Sequence, residues 1–252
     1  MNRKIAIVTG GSRGLGKNTA LKLAEKGIDV IVTYHTRSDD AKAVVADIEK
    51  LGRRAVALQL DVSSSKTFSQ FAVHVQQALQ HLWQRATFDF LINNAGQGIA
   101  APFAELTEEQ FDQLMNTHLK GTFFLTQRLL HLISDGGRII NMSSGLTRFS
   151  FPGYSAYAAM KGGIEVLTKY MVKELGPRGI SVNVVAPGAI ATDFGDGSVR
   201  DNPDINNFIG SQTALGRAGV PDDIGCVIAA LVADDMRWVN AQRIEISGGM
   251  LL

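Results

Sequence analysis

The chain has 252 residues, of which 45% are hydrophobic and 19% are charged, and its mean hydropathy is +0.06. This composition suits a well-filled core and excludes an intrinsically disordered chain. Twenty-five Lys and Arg residues stand against 24 Asp and Glu residues, which leaves a formal net charge of +1 and no basic excess of the kind that binds a nucleic-acid backbone.

Targeting segments and metal sites are not indicated. The amino-terminal residues lead straight into a short apolar strand, and no apolar stretch approaches the roughly 20 residues that span a bilayer. We therefore expect a cytoplasmic protein without a membrane partner. Cys226 is the only cysteine, so an intramolecular disulfide and a cysteine-rich metal site are excluded. His74 and His81 lack a third ligand at a suitable spacing, and no metal is expected.

Strand and helix patterns alternate along the whole chain. Strands are predicted at 4–9, 29–34, 55–60, 88–93, 137–142, 180–186 and 242–246. The helices predicted between them span 16–26, 38–51, 66–84, 107–134, 155–175 and 222–233. Seven strands with intervening helices indicate an α/β fold, a single doubly wound Rossmann-type domain over residues 1–252 with a seven-stranded parallel sheet.

A glycine-rich turn follows the first predicted strand and opens the first helix. Glycines there allow a tight turn and a close approach of the backbone to a pyrophosphate at the amino terminus of the helix. The position between strand and helix therefore predicts a nucleotide site. Its residues are Gly10, Ser12, Arg13, Gly14, Leu15 and Gly16.

The residues after the second strand indicate which nucleotide is bound. An acidic side chain there normally holds the ribose 2′-hydroxyl, but segment 32–37 contains none. Arg37 and Arg13 can give charged hydrogen bonds to a 2′-phosphate, and His35 and Thr36 can give neutral ones. These residues predict NADP(H) in preference to NAD(H), although they also suit a solvated loop.

Tyr157 and Lys161 are four residues apart in a predicted helix, so their side chains leave one face and approach each other. An ammonium beside a phenol would lower the pKa of Tyr157 from about 10 toward neutrality, which suits proton exchange with a carbonyl or alcohol oxygen. Such pairs also occur on solvated helices. Ser144, at the end of a predicted strand, can hydrogen-bond the same oxygen, although serine at a strand end also makes turns.

The order and spacing of these motifs resemble the short-chain dehydrogenase/reductase family over essentially the whole chain. The shared features are Thr9–Gly16, Asp61-Val62, Asn93-Asn94-Ala95-Gly96, Ser144, Tyr157-x-x-x-Lys161, Pro187-Gly188 and Ile244–Gly249. The pattern is similar to 3-oxoacyl-carrier-protein reductases and to glucose dehydrogenase-like members about equally. Both commonly form tetramers, so the resemblance implies a homotetramer.

The resemblance also implies roles for residues around the cofactor. Asp61 and Val62 would frame the adenine, and Lys161 would also bind the nicotinamide ribose. The residues implied to pass the ribose are Asn94, Ala95 and Gly96, and those implied to surround the nicotinamide are Pro187, Gly188, Ile190 and Thr192.

One position departs from the family pattern. The family usually has asparagine before Leu-Lys-Gly, whereas His118 precedes that tripeptide here. In the family the asparagine shapes the helix and helps a water connect to the lysine. His118 would either preserve that relay or slow it, and a packed imidazole without such a role is equally compatible. Asn116, two residues earlier, points to another face of the helix.

The predicted activity is reversible hydride transfer between NADP(H) and a carbonyl or alcohol, as in a carbonyl reductase or alcohol dehydrogenase. Tyr157 is the predicted general acid/base, Ser144 orients the substrate oxygen, and Lys161 tunes Tyr157. An epimerase or dehydratase is disfavoured, because those enzymes usually carry an acidic residue that selects NAD. A catalytically weak nucleotide-sensing regulator remains an alternative, since fold does not determine function.

Three segments are expected to select a small-molecule substrate, namely 97–102, 146–154 and a flap around 193–215. Residues 195–207 of this flap are polar, contain glycine and lack periodicity, which predicts a mobile segment. Aromatic residues in these segments indicate an apolar pocket, although each also suits a protein core. They are Phe149, Phe151, Tyr154 and Phe194.

Overall fold

The computed structural model describes residues 3–252 and contains one seven-stranded sheet. The strands are β1 (Ile5–Val8), β2 (Asp29–Tyr34), β3 (Ala55–Gln59), β4 (Phe88–Asn93), β5 (Ile133–Met142), β6 (Ser181–Pro187) and β7 (Arg243–Ile246). They lie in the order β3-β2-β1-β4-β5-β6-β7, and every neighbouring pair is parallel. The doubly wound α/β fold predicted from the sequence is confirmed.

Helices cover both faces of the sheet. Within residues 3–252 they are α1 (Gly14–Glu25), α2 (Ser38–Lys50), α3 (Phe68–Ala78), α4 (Glu108–Leu114), α5 (Gly121–Leu129), α6 (Ser155–Leu175), α7 (Ser198–Asp201), α8 (Pro203–Ser211) and α9 (Pro221–Leu231). A π-helical turn at Leu79–Trp83 extends α3, and a second at Met115–Lys120 joins α4 to α5. No helix in this part of the chain is both long and apolar enough to cross a bilayer.

Alternate residues of the central strands enter two separate apolar clusters. Val8 and Val32 pack with Leu23 of α1 in the first cluster. Ile7 and Ile31, one position away, pack in the second with residues of α3 and α5. Successive side chains of a strand point to opposite faces, and a sheet covered on both sides therefore has strands that are apolar throughout. This double burial explains the short continuous apolar runs in the sequence.

The predicted helix 107–134 is helical from Glu108 to Leu129, but its predicted carboxyl end lies too far along the chain. It consists of α4, the π-helical turn and α5, and β5 already begins at Ile133. The strand pairing shifts along β5, because Phe88 pairs with Ile133 whereas Phe90 pairs with Arg138. Gly136, with a φ of +73°, lies in the inserted stretch. Gly136 bends β5, so the strand begins at Ile133, before the regularly paired residues that the sequence pattern predicts at 137–142.

The flap predicted as irregular contains two short helices, α7 and α8. Asn202 caps α8, because its Oδ1 accepts the backbone N–H groups of Asp204 at 2.9 Å and Ile205 at 3.2 Å. Pro203 follows at the first helical position, where its fixed φ favours a helix start. The Asn-Pro pair was therefore a helix signal that the search for apolar periodicity missed.

Candidate active site

A cavity of about 650 Å³ lies at the carboxyl ends of the central strands. The sheet order reverses between β1 and β4, and a crevice forms at such a switch point in doubly wound sheets. Every catalytic and cofactor residue predicted from the sequence lines this cavity. They are Gly10, Ser12, Arg13, Gly14, Leu15, Gly16, His35, Thr36, Arg37, Asp61, Val62, Asn94, Ala95, Gly96, Ser144, Tyr157, Lys161, Pro187, Gly188, Ile190 and Thr192.

The glycine-rich turn has the geometry of a phosphate cradle. Gly10 and Gly14 have φ values of +63° and +53°, a backbone region that side chains disfavour. A Cβ atom at Gly16 would lie 2.2 Å from the carbonyl oxygen of Gly10. Only glycine therefore allows α1 to start this close to the turn, and the amino terminus of α1 lines the cavity where it can face an anion.

Thr9 and Asn94 attach this turn to the end of β4. The Thr9 Oγ1 accepts the backbone N–H groups of Asn94 and Ala95, both at 2.9 Å. The Asn94 side chain donates to the carbonyl oxygens of Thr9 at 2.8 Å and Gly10 at 3.3 Å. Asn94 thus contributes by holding the turn in place, a contact that the sequence did not reveal.

Side chains that follow β1 and β2 form the end of the cavity predicted to receive a 2′-phosphate. Arg37 pairs with Asp40 at 3.2 Å and is 55% exposed, and Arg13 pairs with Asp193 at 3.2 Å and is 48% exposed. The His35 Nε2 lies 3.8 Å from a carboxylate oxygen of Asp61. Two guanidinium groups and an imidazole give a donor set that suits a phosphate better than a neutral hydroxyl.

Tyr157, Lys161 and Ser144 come together at the base of the cavity. Tyr157 and Lys161 are buried on one face of α6, and the Lys161 Nζ lies 5.5 Å from the centre of the Tyr157 ring. The Lys161 Nζ also donates to the carbonyl oxygen of Met142 at 2.9 Å. The Ser144 hydroxyl oxygen accepts the N–H of Leu146 at 3.2 Å, which leaves its hydrogen available to a third group.

The proton equilibria differ from the sequence prediction. Burial raises the pKa of Tyr157, and a hydrogen bond with Ser144 opposes this effect without reversing it. Burial also lowers the pKa of Lys161 to about 7. The expected lowering of the Tyr157 pKa by Lys161 is therefore wrong for this structure. Desolvation disfavours the phenolate form of Tyr157, and it also disfavours the ammonium form of Lys161 that would have stabilised the phenolate. Tyr157 is a protonated phenol at neutral pH.

His118, the departure from the family pattern, lies inside the site. It belongs to the π-helical turn, and its ring meets the Tyr157 ring edge-on with a centroid distance of 5.1 Å. Its Nε2 is 2.7 Å from the carbonyl oxygen of Gln97, an acceptor to which Nε2 donates. Burial and the nearby Lys161 lower its pKa to about 3. Its Nδ1 has no hydrogen-bond partner among residues 3–252.

Aromatic side chains form the remaining wall of the cavity. The Phe194 ring lies 5.8 Å from the Tyr157 ring, and the rings of Phe149 and Phe151 are 5.6 Å apart. Tyr154 completes the set that lines the cavity. Phe194 packs over Gly98, where a Cβ atom would lie 2.8 Å from its ring. The flap thus contributes a ring directly beside the phenol.

Two residues of the site were missed from the sequence. Asp193, in the flap, pairs with Arg13 and also with Arg200, and nothing in the local sequence signals either contact. Glu165 accepts hydrogen bonds from residues on both sides of Ser144. Its position four residues after Lys161 on α6 places it on the face of Tyr157, so helical spacing could have identified it.

Comparison with known proteins gives consistent matches over the whole chain. Residues 10–251 match a family model described as enoyl-(acyl carrier protein) reductase. The hydroxynaphthalene reductase-like protein Arp2 of Metarhizium brunneum is 36% identical over 98% of this chain and 94% of its own length. The reductase LugOII, described as catalysing keto-reduction at C1 during lugdunomycin biosynthesis, is 38% identical with a TM-score of 0.94, over 99% of this chain and 98% of its own. The angucycline C-6 ketoreductase LanV with bound NADP is 35% identical with a TM-score of 0.93, over 98% and 95%.

Proposed function

Because the chain belongs to the short-chain dehydrogenase/reductase family, we propose that it is an NADP(H)-dependent ketoreductase whose substrate carries the carbonyl group on a fused-ring aromatic scaffold. One observation carries the proposal, namely that Tyr157, Ser144 and Lys161 meet in the cavity that also holds the glycine turn and an aromatic wall. A protonated phenol, a hydroxyl donor and a nucleotide cradle are the parts that carbonyl reduction requires.

NADP(H) is the cofactor, and it supplies a hydride when bound. The glycine turn would hold the pyrophosphate against the amino terminus of α1. Arg13, Arg37, His35 and Thr36 would hold the 2′-phosphate, and Arg37 and Arg13 would give up their surface ion pairs for it. The relative LanV, which has NADP bound in its solved structure, supports this assignment.

Tyr157, Ser144 and Lys161 have different roles toward the substrate oxygen. Tyr157 donates its proton to that oxygen, and its raised pKa keeps the proton available at neutral pH. Ser144 donates a second hydrogen bond and fixes the direction of the oxygen. Lys161, 5.5 Å from the ring centre, stabilises the phenolate that remains after the transfer.

The aromatic wall of the cavity supports the proposed substrate class. Phe194, Phe149 and Phe151 line a cavity of about 650 Å³, which suits an aromatic ligand. Among the relatives, Arp2 is named for hydroxynaphthalene reduction, and LugOII and LanV are named for keto-reduction.

A substrate panel tests the proposal. NADPH oxidation would be followed with bicyclic aromatic ketones such as 2-tetralone, with β-keto and enoyl thioesters, aldehydes, quinones and keto sugars. We expect the bicyclic ketones to give the highest kcat/KM. Phe194→Ala should raise KM for them by roughly 10-fold, because a stacked ring contributes about 1–1.5 kcal/mol. Turnover confined to enoyl thioesters or sugars would contradict the substrate class.

We also propose that the chain is a single catalytic domain that assembles as a homotetramer. Helices α5 and α6 expose apolar side chains that a monomer would leave in water, including Phe123, Phe124, Val166 and Tyr170. Light scattering coupled to gel filtration should give about four times the chain mass of 27.1 kDa. A mass equal to that of one chain would rule this assembly out.

A further inference from the structure

Four charged side chains form a network beneath the loop that carries Ser144, and the chemistry above uses none of them. Glu165 lies on α6, Arg243 and Glu245 lie on β7, and Arg148 lies at the end of the loop itself. Their side chains are 20%, 26%, 20% and 35% exposed, respectively. Their charges cancel in pairs, so the network holds position without adding net charge to the cavity.

Glu165 binds the loop on both sides of Ser144. Its Oε1 accepts the hydroxyl of Ser143 at 2.6 Å and the hydroxyl of Thr147 at 2.7 Å. The same oxygen accepts the Nε–H of Arg243 at 2.7 Å. Hydrogen bonds to an ionised acceptor are shorter and stronger than neutral ones, and they lower the pKa of Glu165 even though burial opposes this. The carboxylate is therefore ionised at neutral pH.

Arg243 connects the loop to β7. Its Nη2 donates to the carbonyl oxygen of Ser144 itself at 3.3 Å and to the Thr147 hydroxyl at 3.0 Å. Its Nη1 donates to Glu245 at 3.0 Å. The backbone of Ser144 is thus fixed from the strand side, while Glu165 fixes its neighbours from the helix side.

Arg148 closes the network at the carboxyl-terminal segment. It makes a bidentate pair with Glu245 at 2.8 and 2.6 Å, and it donates to the carbonyl oxygens of Met250 at 2.6 Å and Leu251 at 2.9 Å. A planar guanidinium matched to a carboxylate holds one orientation. The Ser144 loop is therefore held by α6, by β7 and by the end of the chain.

The spacing along α6 relates this network to Tyr157. Tyr157, Lys161 and Glu165 occupy positions i, i+4 and i+8 of one helix, so they share a face. A rigid helix thereby carries both the phenol and the carboxylate that anchors the serine loop. Any displacement of the loop relative to Glu165 would change the distance between the Ser144 hydroxyl and the Tyr157 hydroxyl, two groups that must meet one substrate oxygen.

We infer that Glu165, together with Arg243, is a positioning residue that sets the Ser144 hydroxyl relative to Tyr157. The inference rests on the proposed function, because it requires Ser144 to bind the substrate oxygen. A misplacement of about 1 Å can cost about 100-fold in rate. Loss of the carboxylate should therefore lower kcat while leaving the cofactor site intact.

A double-mutant cycle tests this role in the full-length enzyme. Glu165→Ala should lower kcat by roughly 10- to 100-fold, with the Kd for NADPH unchanged within about threefold. In a Ser144→Ala background the same substitution should change kcat by less than about threefold, because a residue that acts through Ser144 has nothing left to position. Glu165→Gln, which keeps an acceptor oxygen and the shape of the side chain, should restore part of the rate. Glu174→Ala, on an exposed position of the same helix, should match wild type.

The outcomes distinguish the positioning role of Glu165 from the proposed role of Ser144. If Glu165→Ala lowered kcat by the same factor in the wild-type and the Ser144→Ala backgrounds, the positioning role would be overturned. The proposed role of Ser144 would not be affected. If Ser144→Ala alone did not lower kcat, the serine role in the proposed function would fall, and the positioning role with it. If Glu165→Ala unfolded the protein, Glu165→Gln would take its place in the cycle, with a smaller loss of kcat that should again disappear in the Ser144→Ala background.

Discussion

Lys161 and His118 are buried beside Tyr157, and they are 5% and 2% exposed. Burial lowers the pKa of Lys161 to about 7 and that of His118 to about 3, because the charged form of each group loses its hydration. In both cases the unfolded chain keeps a proton that the folded chain has released. The free energy of unfolding therefore rises with pH, from about 3 to 6.5 through His118 and from about 7 to 10.5 through Lys161.

We predict that His118→Asn makes the protein less sensitive to acid. Below about pH 6 the wild type should lose about 1.4 kcal/mol of unfolding free energy per pH unit through this residue, whereas asparagine takes up no proton. Urea unfolding at about pH 6 and about pH 4.5 measures the two slopes. His74→Asn, at an exposed position, is the matched control and should leave the slope unchanged. Equal slopes for His118→Asn and wild type would show that His118 titrates normally.

At the scale of the elements, a glycine sets the distance between α1 and its neighbours, whereas a glycine of α6 faces open space. A Cβ atom at Gly16, in α1, would lie 2.2 Å from the Gly10 carbonyl and 2.5 Å from the Asn94 side chain. A Cβ atom at Gly162, in α6, would meet nothing within 4 Å. Identical Gly→Ala substitutions in two helices should therefore have opposite effects.

We expect Gly16→Ala to lower the free energy of unfolding by roughly 1–3 kcal/mol, because the turn must move away from the new methyl group. It should also weaken NADPH binding by at least about 10-fold, a loss of about 1.4 kcal/mol. Gly162→Ala should raise the free energy of unfolding by about 0.5–1 kcal/mol, because alanine has the higher helix propensity. Urea unfolding measures the free energies of unfolding, and fluorescence titration with NADPH measures the change in binding. Gly162 shares a helix face with Val166 and Tyr170, so destabilisation by Gly162→Ala would mean that a partner subunit packs closely against this part of α6.

Most elements were predictable from the sequence because burial on both faces of the sheet produces strong apolar patterns. The bounds of β2, β4 and α6 agree with the prediction at both ends. The change to π-helical hydrogen bonding at Met115–Lys120 was not predictable, because a single π-helical turn is shorter than the window of residues over which apolar spacing identifies a helix. The helices of the flap were missed for a different reason, since their signal is a cap and a proline instead of a periodic face.

The candidate site was predictable to the extent that its residues carry motifs in sequence order. Long-range contacts between side chains were not predictable, as those of Arg243 and Asp193 demonstrate. The pKa of Tyr157 was predicted in the wrong direction, because pairing with Lys161 is visible as spacing whereas the depth of burial is a property of the assembled fold.

At the scale of the whole molecule, cofactor binding should stabilise the fold, because the site joins loops from both halves of the sheet. At about 100 times its Kd, NADPH should add about 2.7 kcal/mol to the free energy of unfolding. At equal concentration NADH should add less to the free energy of unfolding, because it lacks the 2′-phosphate that we propose Arg37 and Arg13 bind. Arg37→Ala should reduce the difference between the stabilisation by NADPH and that by NADH. Lys50→Ala, at the far end of α2, should leave this difference unchanged. Equal stabilisation by NADH and NADPH in the wild type would contradict the phosphate site.

The central claim is that Tyr157 transfers the proton in carbonyl reduction, and the kcat of Tyr157→Phe with NADPH and a bicyclic aromatic ketone tests it most directly. Phenylalanine keeps the ring beside His118 and Phe194 but has no proton to give. We predict that kcat falls by about 100- to 10,000-fold, while the Kd for NADPH, measured by fluorescence titration, stays within about threefold of wild type. A variant that binds NADPH and retains most of the wild-type kcat would contradict the mechanism.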